Sequence, residues 1–425
     1  MLSLEDLRSN TDAIKNGVQR KKFRCDIDGF LAVDSRRRGC IAEFEELRAK
    51  QNAASGGVAS FPKGSPEFLR ATSELGELSA KVKDAEAKVR AIGDEWQALY
   101  LTIPNVPHES VPDGRTEKDN VTVSEWNPSG EISKFAVAHY DIPWFSNAID
   151  FQRGTKVSGA GFPFYVGNMA RFVRALLNFF LDEAKSNGYV ECLCPILVNP
   201  ASATATGQLP DKEGMMYRAA LDDLYCIPTA EVPLTNFFRG EIFDEKDLPI
   251  FRCGYTPCFR REAGSWGRDV RGLNRLHQFD KVELVKFVHP DESLGELEKL
   301  RADAERILQK LEIPYRVLSI CAGDIGFAHS KQYDIEAWAG GQKRWLEVSS
   351  CSNFTDFQAR RGGIKFRSKA GGKVRHVHTL NGSGLAIPRV LAAILENNLQ
   401  SDLSVAVPSA LRPYVGKEFL KFAAL

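Results

Sequence analysis

Apolar residues recur at alternating steps of three and four, without a break, along residues 75–99 of the chain. They are Leu75, Leu78, Val82, Ala85, Val89, Ile92, Trp96 and Leu99. This is the spacing of a coiled-coil seam. Residues 30–51 show a similar spacing that Arg37 interrupts, and residues 52–66 between the two stretches are rich in glycine, serine and proline. The pattern predicts two long helices joined by a turn in an antiparallel hairpin.

The hairpin is expected to project from the rest of the molecule. A helix of about 33 residues is roughly 50 Å long, which is more than the surface of a compact domain can cover. Basic residues such as Arg36, Arg48 and Lys81 occur along both helices, and acidic residues do too. Most of these charged residues are explained as solvent-exposed faces of the helices. Two uses stay open: an oligomerisation or spacer element, and a reader of a long charged ligand.

Composition excludes some classes of protein. The 425 residues, 43% hydrophobic and 26% charged, predict an ordinary globular protein of more than one domain. A net charge of +1 excludes a globally basic nucleic-acid binder, although local basic patches remain compatible with an RNA partner. The nine cysteines are odd in number and widely spaced, which favours a reduced interior over a disulfide framework. Cys192 and Cys194 have no second Cys/His pair nearby, so no zinc is expected.

The hydrophobicity and proline content of segments predict the cellular location of the protein and the borders of its domains. No apolar run approaches the length of a membrane span, and the first ten residues resemble a helix start more than a leader peptide. A cytoplasmic protein without a membrane partner is therefore expected. Residues 101–128 are rich in proline and predict a linker. It would divide the chain into a helical domain over residues 1–100 and a single α+β catalytic domain over residues 129–425.

The segment 258–283 predicts two strands joined by a long connection with three glycines and three arginines. A period of two puts Arg260 and Glu262 on one face of the first strand, and Phe279 and Glu283 on one face of the second. A ring could then stack at one end and an acid bind a cation at the other, with the arginine of the adjoining strand between them. An exposed hairpin with solvated charges has the same pattern, so this segment alone does not decide.

Polar residues after predicted strands mark further candidate sites. Residues 170–184 predict an apolar helix face, and a strand over residues 189–194 follows it. Thr229 and Glu231 come directly after another apolar strand. Binding residues often lie in that position, although such residues also cap the next helix.

Two late segments carry ligand-binding chemistry. A predicted strand presents Glu347 and Ser349 on one face and Ser350 on the other, and a carboxylate beside hydroxyls suits Mg²⁺. A half-buried strand with a satisfied glutamate fits equally well. Residues 378–389 predict a strand end, a Gly-Ser-Gly turn and a helix ending near residue 397, with Arg389 in its first turns. The glycines would let backbone N–H groups approach an anion, and Arg389 could reach a triphosphate.

Together these segments resemble the signature motifs of class II aminoacyl-tRNA synthetases, and within that class the seryl-tRNA synthetase family of bacterial type. Motif 1 is similar to residues 172–195, motif 2 to residues 258–283 with FRREAG and RGLNRLHQFDKVE, and motif 3 to residues 381–389. TAE at 229–231 and EVSSCSN at 347–353 are specific to the family. The resemblance covers essentially the whole chain.

Two positions depart from the family's pattern. Trp266 occupies a loop position where smaller residues are usual. Pro388 precedes the motif 3 arginine and, because it lacks an N–H group, is tolerable only in the first helical turn. Neither residue is expected to contact a ligand.

The resemblance implies an α+β fold, in which an antiparallel sheet flanked by helices follows an all-α arm that binds tRNA(Ser). It implies a homodimer through motif 1. It also implies that L-serine and ATP, with Mg²⁺, form seryl-adenylate and pyrophosphate before the seryl group moves to the 3′ end of the tRNA. Whether tRNA(Sec) is also a substrate stays open, as does the exclusion of threonine and cysteine.

The same resemblance implies residue roles. Arg260 and Arg389 are the expected catalytic residues. Serine is expected to contact Thr229, Ala230, Glu231, Arg260, Glu283, Asn353 and Ser383. ATP is expected to contact Arg260, Arg261, Glu262, Leu276, Phe279, Glu347, Val348, Ser349, Ser350 and Arg389, with Mg²⁺ on Glu347 and Ser350.

Two other functions are compatible with parts of the pattern. A synthetase-like ligase that loads an amino acid onto a carrier protein would share the catalytic motifs, but such homologues lack the long arm. A coiled-coil RNA-binding or scaffold protein with a degenerate catalytic domain would be expected to have lost some site residues. All of them are present together here.

Overall fold

The computed structural model describes residues 1–128, 130, 135–211, 214–262, 271–369 and 372–422. The chain forms two compact units, residues 1–16 with 23–104 and residues 17–22 with 105–425. The N-terminal helices are α1 (Leu4–Ser9), α2 (Thr11–Gln19), α3 (Ile27–Val58) and α4 (Pro66–Tyr100).

Helices α3 and α4 form the predicted antiparallel hairpin. Arg36 pairs with Glu95 at 2.8 Å, and Gln51 Nε2 donates to Ser79 Oγ at 2.9 Å, so partner numbers fall on α4 as they rise on α3. Every predicted seam residue of 75–99 is buried or half-buried. The predicted helices and their seam are therefore confirmed.

The predicted turn was too long, because α3 continues to Val58 and only residues 59–65 connect the two helices. Glycine weakens a helix by about 1 kcal/mol relative to alanine but does not end it. Arg37, which interrupts the apolar spacing, places its guanidinium over the Trp96 ring at 4.7 Å from the centroid. Its aliphatic stem thus covers apolar surface where a hydrophobic residue was expected.

A buried carboxylate ties the base of the hairpin together. Asp34 is 1% exposed and accepts two hydrogen bonds from Arg8, at 2.8 and 2.9 Å, and one from Trp96 Nε1 at 3.1 Å. Burial alone would raise the pKa of Asp34, but the hydrogen bonds from Arg8 and Trp96 lower it below its ordinary value.

We expect Asp34→Ala to lower the free energy of unfolding of the arm by about 2 kcal/mol, because it removes a buried acceptor that holds two hydrogen bonds from Arg8 and one from Trp96. The matched variant Arg36→Ala removes an exposed pair and should cost less than about 1 kcal/mol. Urea unfolding followed by far-ultraviolet circular dichroism measures both. Equal losses would contradict a special role for the buried pair.

The second unit combines helices with a large sheet. Its helices are α5 (Phe145–Ala148), α6 (Phe151–Ser158), α7 (Asn168–Ser186), α8 (Pro200–Thr206), α9 (Glu231–Asn236), α10 (Ser293–Lys310), α11 (Phe357–Gly362), α12 (Ile387–Asn397) and α13 (Arg412–Val415). Its strands are β1 (Val121–Trp126), β2 (Ile149–Asp150), β3 (Phe164–Tyr165), β4 (Val190–Glu191), β5 (Leu197–Val198), β6 (Arg218–Ala219), β7 (Leu224–Cys226), β8 (Ile242–Asp244), β9 (Ile250–Phe259), β10 (Gln278–Val288), β11 (Tyr315–Ser319), β12 (Lys331–Ala339), β13 (Arg344–Asn353), β14 (Lys365–Arg367), β15 (Val374–His376), β16 (His378–Ala386), β17 (Val405–Ala406) and β18 (Phe419–Leu420).

The main sheet has the strand order β1-β11-β12-β13-β16-β10-β9-β4. Each neighbouring pair is antiparallel except β4 with β9, which is parallel. Together with the arm, this architecture confirms the predicted α+β class.

Strand β10 shows how the sequence sorts the two faces of this sheet. Val282 and Leu284 pack into the large core with α7, α10 and α12. Val285 and Phe287 pack on the opposite face against residues of α9 and β14. The period of two therefore directs Lys281 and Glu283 to the same side as Val285, away from the large core.

Two boundary predictions need correction. Residues 121–126, placed in the predicted linker, form β1 at the edge of the main sheet, where β11 pairs with them. The strand predicted over residues 189–194 is limited to Val190–Glu191, because only this edge segment pairs with β9. In the described part of the chain, no helix has both the length and the apolar content that crossing a membrane requires.

Candidate active site

A cavity of about 370 Å³ opens on the face of β10, β13 and β16 that is opposite the large core. The predicted residues that line it are Thr229, Glu231, Arg260, Glu262, Leu276, Phe279, Glu347, Val348, Ser349, Ser350, Ser383 and Arg389. Four predicted residues do not line it. Arg261 is exposed beyond its rim, while Ala230, Glu283 and Asn353 are buried beneath neighbouring side chains.

Arg260 lies where β9 ends, and its backbone N–H donates to the His277 carbonyl at 2.9 Å. Its guanidinium covers the Phe279 ring at 5.2 Å from the centroid. Arg260 was predicted to lie between Phe279 and Glu283, which is wrong, because β9 pairs Cys258 with Phe279 and Gly254 with Glu283, so that Thr256 lies between them. The first strand ends at Phe259, so Arg260 and Glu262 do not share a strand face as predicted.

The motif 2 connection is described only in part. Residues 263–270, including Trp266 and two of the three glycines, lie outside the described residues. At its near end Glu262 has a φ of 48° and accepts from Arg275 Nη1 at 2.8 Å. At its far end the Asn274 carbonyl accepts from Arg389 Nε at 3.1 Å.

A buried network holds the far end of this connection. His139 Nε2 accepts the Leu273 N–H at 2.9 Å, so its proton is on Nδ1, which donates to Glu396 Oε1 at 2.7 Å. Gln342 Nε2 also donates to Glu396 at 2.8 Å, and its own amide oxygen accepts from Asn274 at 2.8 Å. His139 and Glu396 are fully buried. Residues distant in sequence thus fix one wall of the cavity.

The floor of the cavity is a network of charged and polar groups. Lys281 forms an ion pair with Glu283 and donates to Thr229 Oγ1 at 2.9 Å. Thr229 Oγ1 in turn donates to Glu283 at 2.9 Å and accepts the Glu231 N–H at 3.2 Å. Thr229 therefore lines the cavity and also accepts the N–H of the first residue of α9, although the N-cap of that helix is Ala230. Asn381 Nδ2 donates to Glu283 at 2.9 Å.

Glu231 is the second carboxylate of the floor. It accepts from Gln358 Nε2 at 2.6 Å and from Asn381 Nδ2 at 3.2 Å. Burial raises the pKa of Glu231 to about 7, and the neighbouring charge of Glu283 adds to the rise. Within the described residues, Asn381 Oδ1 is buried without a hydrogen-bond partner. An acceptor next to two carboxylates suits a cationic donor.

A β-bulge shapes the wall formed by β13. In the backbone register of β13 with β12, Glu347 lies opposite Glu336 and Ser350 lies opposite Asp334. Val348, between them, has no partner residue on β12. Because Glu336 and Asp334 are two residues apart on β12, Glu347 and Ser350 point to one face. Burial raises the pKa of Asp334 to about 8, and the charge of Glu347 adds to it.

The predicted faces of β13 were therefore wrong. Ser349 pairs with Ile335 on the other face, where its Oγ donates to the Ser383 carbonyl at 2.7 Å. Sequence alternation alone could not show the bulge, because a bulge depends on the partner strand.

Motif 3 also differs from its prediction. The Gly-Ser-Gly segment continues β16 and forms no turn. A side chain at Gly382 would approach Leu300 of α10 at 3.0 Å, so this glycine permits close packing of helix on sheet. Leu385, with a φ of 82°, lies in a bulge against β10. Helix α12 then begins, with Pro388 in its first turn as expected and Arg389 directed into the cavity.

Sequence analysis gave no role to several residues that line or support the cavity. Asn381, Gln358 and His329 are examples, and burial lowers the pKa of His329 to about 4. Lys281 carried a usable signal, because it alternates with Phe279 and Glu283 on one strand. The positions of Asn381, Gln358 and His329 at the cavity can be seen only in the three-dimensional structure.

Comparison with known proteins identifies the family. Residues 216–398 match the model of the tRNA synthetase class II core domain (G, H, P, S and T), and residues 1–107 match that of the seryl-tRNA synthetase N-terminal domain. The serine–tRNA ligase of Salinibacter ruber is 48% identical over 423 residues, or 98% of each chain. The chain belongs to the seryl-tRNA synthetase family.

Other members of the seryl-tRNA synthetase family agree over the full length. The serine–tRNA ligase of Thermodesulfovibrio yellowstonii is 46% identical over 424 residues, covering 99% of this chain and 100% of that one. The crystal structure of seryl-tRNA synthetase from Pyrococcus horikoshii, complexed with ATP, superposes with a TM-score of 0.88 at 34% identity and covers 100% of both chains. The resemblance inferred from the motifs is confirmed.

Proposed function

We propose that this chain activates L-serine with ATP and transfers the seryl group to the 3′ end of tRNA(Ser). The observation that carries the proposal is a cavity that joins a carboxylate-rich floor to an arginine-lined wall. The floor suits the ammonium and hydroxyl of an amino acid, and the wall suits its carboxylate and a triphosphate. The names of the full-length relatives and the ATP complex of the Pyrococcus protein support the same reaction.

In the proposed complex, Thr229 and Glu231 hold the serine ammonium and Ser383 lies at its hydroxyl. Asn381 Oδ1, which has no partner among the described residues, is a further acceptor for the ammonium. Ala230 and Asn353 would shape this end from below. Such a polar pocket discriminates against alanine, which would leave its buried groups unpaired.

Glu283 is proposed to act on the serine hydroxyl from beneath the floor. It is fully buried, and its oxygens are bonded to Lys281, Thr229 and Asn381. Among the described residues its Oε1 accepts one bond, that from Asn381, and a carboxylate oxygen can accept a second one from the hydroxyl.

ATP is proposed to lie along the opposite part of the cavity. The adenine would stack on Phe279, with the Leu276 backbone and Glu262 near its edge. Glu262 must then exchange its bond with Arg275 for one with the base. Arg389, held between the Asn274 carbonyl and the Glu347 carbonyl at 3.1 and 2.7 Å, would bind the outer phosphates.

The residues on β13 fit a magnesium ion that arrives with ATP. The bulge directs the Glu347 carboxylate and the Ser350 hydroxyl to one face, and both are oxygen donors that Mg²⁺ prefers. Among the residues that the structure describes, no cluster of three or more Asp, Glu, His or Cys could hold a metal. Phosphate oxygens and water would therefore complete the ligand set. When bound, the ion supplies charge neutralisation at the phosphates.

Catalysis in this scheme consists of alignment and charge neutralisation. A serine carboxylate oxygen forms a bond to the α-phosphorus, and the bond from that phosphorus to the pyrophosphate oxygen breaks. The carboxylate is already nucleophilic, so the step needs no general base. Arg260 would contact both the carboxylate and the α-phosphate, where charge accumulates in the transition state. A terminal ribose hydroxyl of the tRNA then attacks the activated carbonyl and releases AMP.

The remaining assignments are proposals of the same kind. The hairpin α3–α4 would bind the long variable arm of the tRNA through shape and backbone contacts. A homodimer through motif 1 is supported by exposed apolar residues at the β4 edge, where Val190 is 55% and Leu193 is 87% exposed. We place the protein in the cytoplasm, with an N-terminal domain at residues 1–100 and a catalytic domain that includes β1 (Val121–Trp126).

Charging of unfractionated tRNA with labelled serine tests the proposal directly. We expect label on tRNA(Ser) only when ATP is present. Adenylate formation without transfer to any tRNA would contradict the proposed second step.

Serine binding is expected to weaken as the pH falls below about 7. Glu231 must be ionised to bind an ammonium, and its raised pKa means that it takes up a proton as the pH falls through about 7. The dissociation constant should then rise by about tenfold per pH unit. Calorimetric titration of L-serine on both sides of this pH measures it. In Glu231→Gln, binding should be weak and independent of pH; an unchanged slope in that variant would contradict the assignment.

A further inference from the structure

Lys281 is a buried cation in the cavity wall to which the proposed reaction assigns no task. It is 6% exposed, it lies on β10 between the Phe279 platform and Glu283, and its Nζ reaches both the Glu283 carboxylate and Thr229 Oγ1. A lysine is seldom buried unless its charge is paired. Its partner, Glu283, is fully buried and cannot be neutralised by solvent.

The charges on the floor do not balance without a ligand. Glu231 and Glu283 are two buried carboxylates, and Lys281 is one buried ammonium. Lys281 contacts Glu283, while the contacts of Glu231 come from the neutral amides of Gln358 and Asn381. Among the described residues, Glu231 therefore has no cation in direct contact, although the more distant charges of Lys281 and Arg260 act on it. The α-ammonium of an amino acid supplies that contact.

We infer that Lys281 is a specificity-determining residue: as the internal counter-ion of Glu283, it leaves one net negative charge for the α-ammonium and rejects amino acids with a second positive charge. This inference rests on the proposed function, because it names the substrate class that the same pocket excludes. The neutral hydroxymethyl group of serine fits beside the Lys281 ammonium. An aminomethyl group of equal size would meet like charge there.

The test uses L-2,3-diaminopropionate, which carries an ammonium where serine carries its hydroxyl. In Lys281→Met the hydrocarbon stem remains, the position of Nζ is vacated, and Glu283 loses its counter-ion. We expect kcat/KM for serine in ATP–pyrophosphate exchange to fall by about 100-fold, the scale for removing one partner of a buried charge pair. Diaminopropionate should bind the variant at least about tenfold more tightly than it binds the unaltered protein, as measured by calorimetry.

Matched variants separate specificity from folding. Lys281→Arg keeps the charge and should still reject diaminopropionate. Lys286→Met, on the same strand, removes a lysine that is 1% exposed and paired with Glu296 at 2.9 Å outside the cavity, so it should leave amino-acid preference unchanged. Lys281→Gln keeps a donor toward Thr229 without the charge. If Lys281→Met does not fold, Lys281→Gln replaces it in the test, and the same gain in diaminopropionate binding is expected.

The outcomes distinguish this inference from the proposed function. If the unaltered protein shows no serine-dependent exchange, the proposed function fails. If it is active with serine, but Lys281→Met and Lys281→Gln bind diaminopropionate no better than it does, the inference about Lys281 is overturned alone. If Lys286→Met also binds diaminopropionate more tightly, the gain comes from a general loosening of the fold, and the inference about Lys281 is overturned as well.

Discussion

Replacing Arg260 by alanine is expected to reduce serine-dependent ATP–pyrophosphate exchange by about 1,000-fold or more, the scale for removing a cation from a phosphoryl-transfer transition state. The guanidinium lies over Phe279, and its Nε donates to the Pro228 carbonyl at 3.3 Å, so it is positioned before any substrate arrives. Its loss should lower kcat more than it raises KM for ATP. Exchange measured with radiolabelled pyrophosphate gives both parameters.

Two further arginine variants sharpen this result. Arg260→Lys keeps a charge but not the planar fork, and should recover only a small part of the activity. Arg252→Ala removes an arginine of β9, the strand that precedes Arg260; its guanidinium packs over Phe238 at 5.1 Å and does not line the cavity. We expect it to keep near-normal exchange. Equal exchange activity in Arg260→Ala and Arg252→Ala would contradict the catalytic role of Arg260.

Shortening the arm is expected to separate the two steps of the reaction. Joining Cys40 to Arg90 by a short Gly-Ser turn removes the distal hairpin but keeps its base, where Phe30 stacks on Tyr100 with centroids 5.1 Å apart. Exchange should stay within about twofold of normal, while tRNA charging should fall by about 100-fold, because phosphate contacts supply much of the affinity for nucleic acid. The KM for tRNA should carry most of this loss.

The matched control keeps the arm and alters its seam. Ala85→Leu, at a 3% exposed position of α4, perturbs the packing of the hairpin without shortening it. A moderate loss of charging in that variant and a large one in the shortened arm would agree with tRNA binding along the hairpin. Parallel loss of exchange and charging in the shortened arm would contradict the division of labour.

Periodicity and motif spacing predicted most of the architecture. The three-and-four spacing in α4 survives as a seam because each apolar residue there must be covered by α3, a local consequence of helix geometry. The segment 258–283 pairs as predicted, β9 with β10, and most of the predicted site residues line one cavity. These successes rest on patterns that repeat along the chain itself.

The failures concern features that depend on distant partners. Ser350 reaches the face of Glu347 only because Val348 forms a bulge against β12. Gly382 belongs to a strand and not to a turn, because β10 and β13 pair with it on either side. The contacts of Asn381 with Glu231 and Glu283 join residues far apart in sequence. None of these contacts leaves a periodic signal, so sequence analysis could not predict them.

We propose that the carboxylate-lined floor and the arginine-lined wall form a site that adenylates serine. Amino-acid-dependent ATP–pyrophosphate exchange, measured separately with each proteinogenic amino acid, tests it most directly. We predict exchange with serine that Arg260→Ala abolishes. Exchange with alanine or glycine in place of serine, or with no amino acid at all, would contradict serine activation at this site.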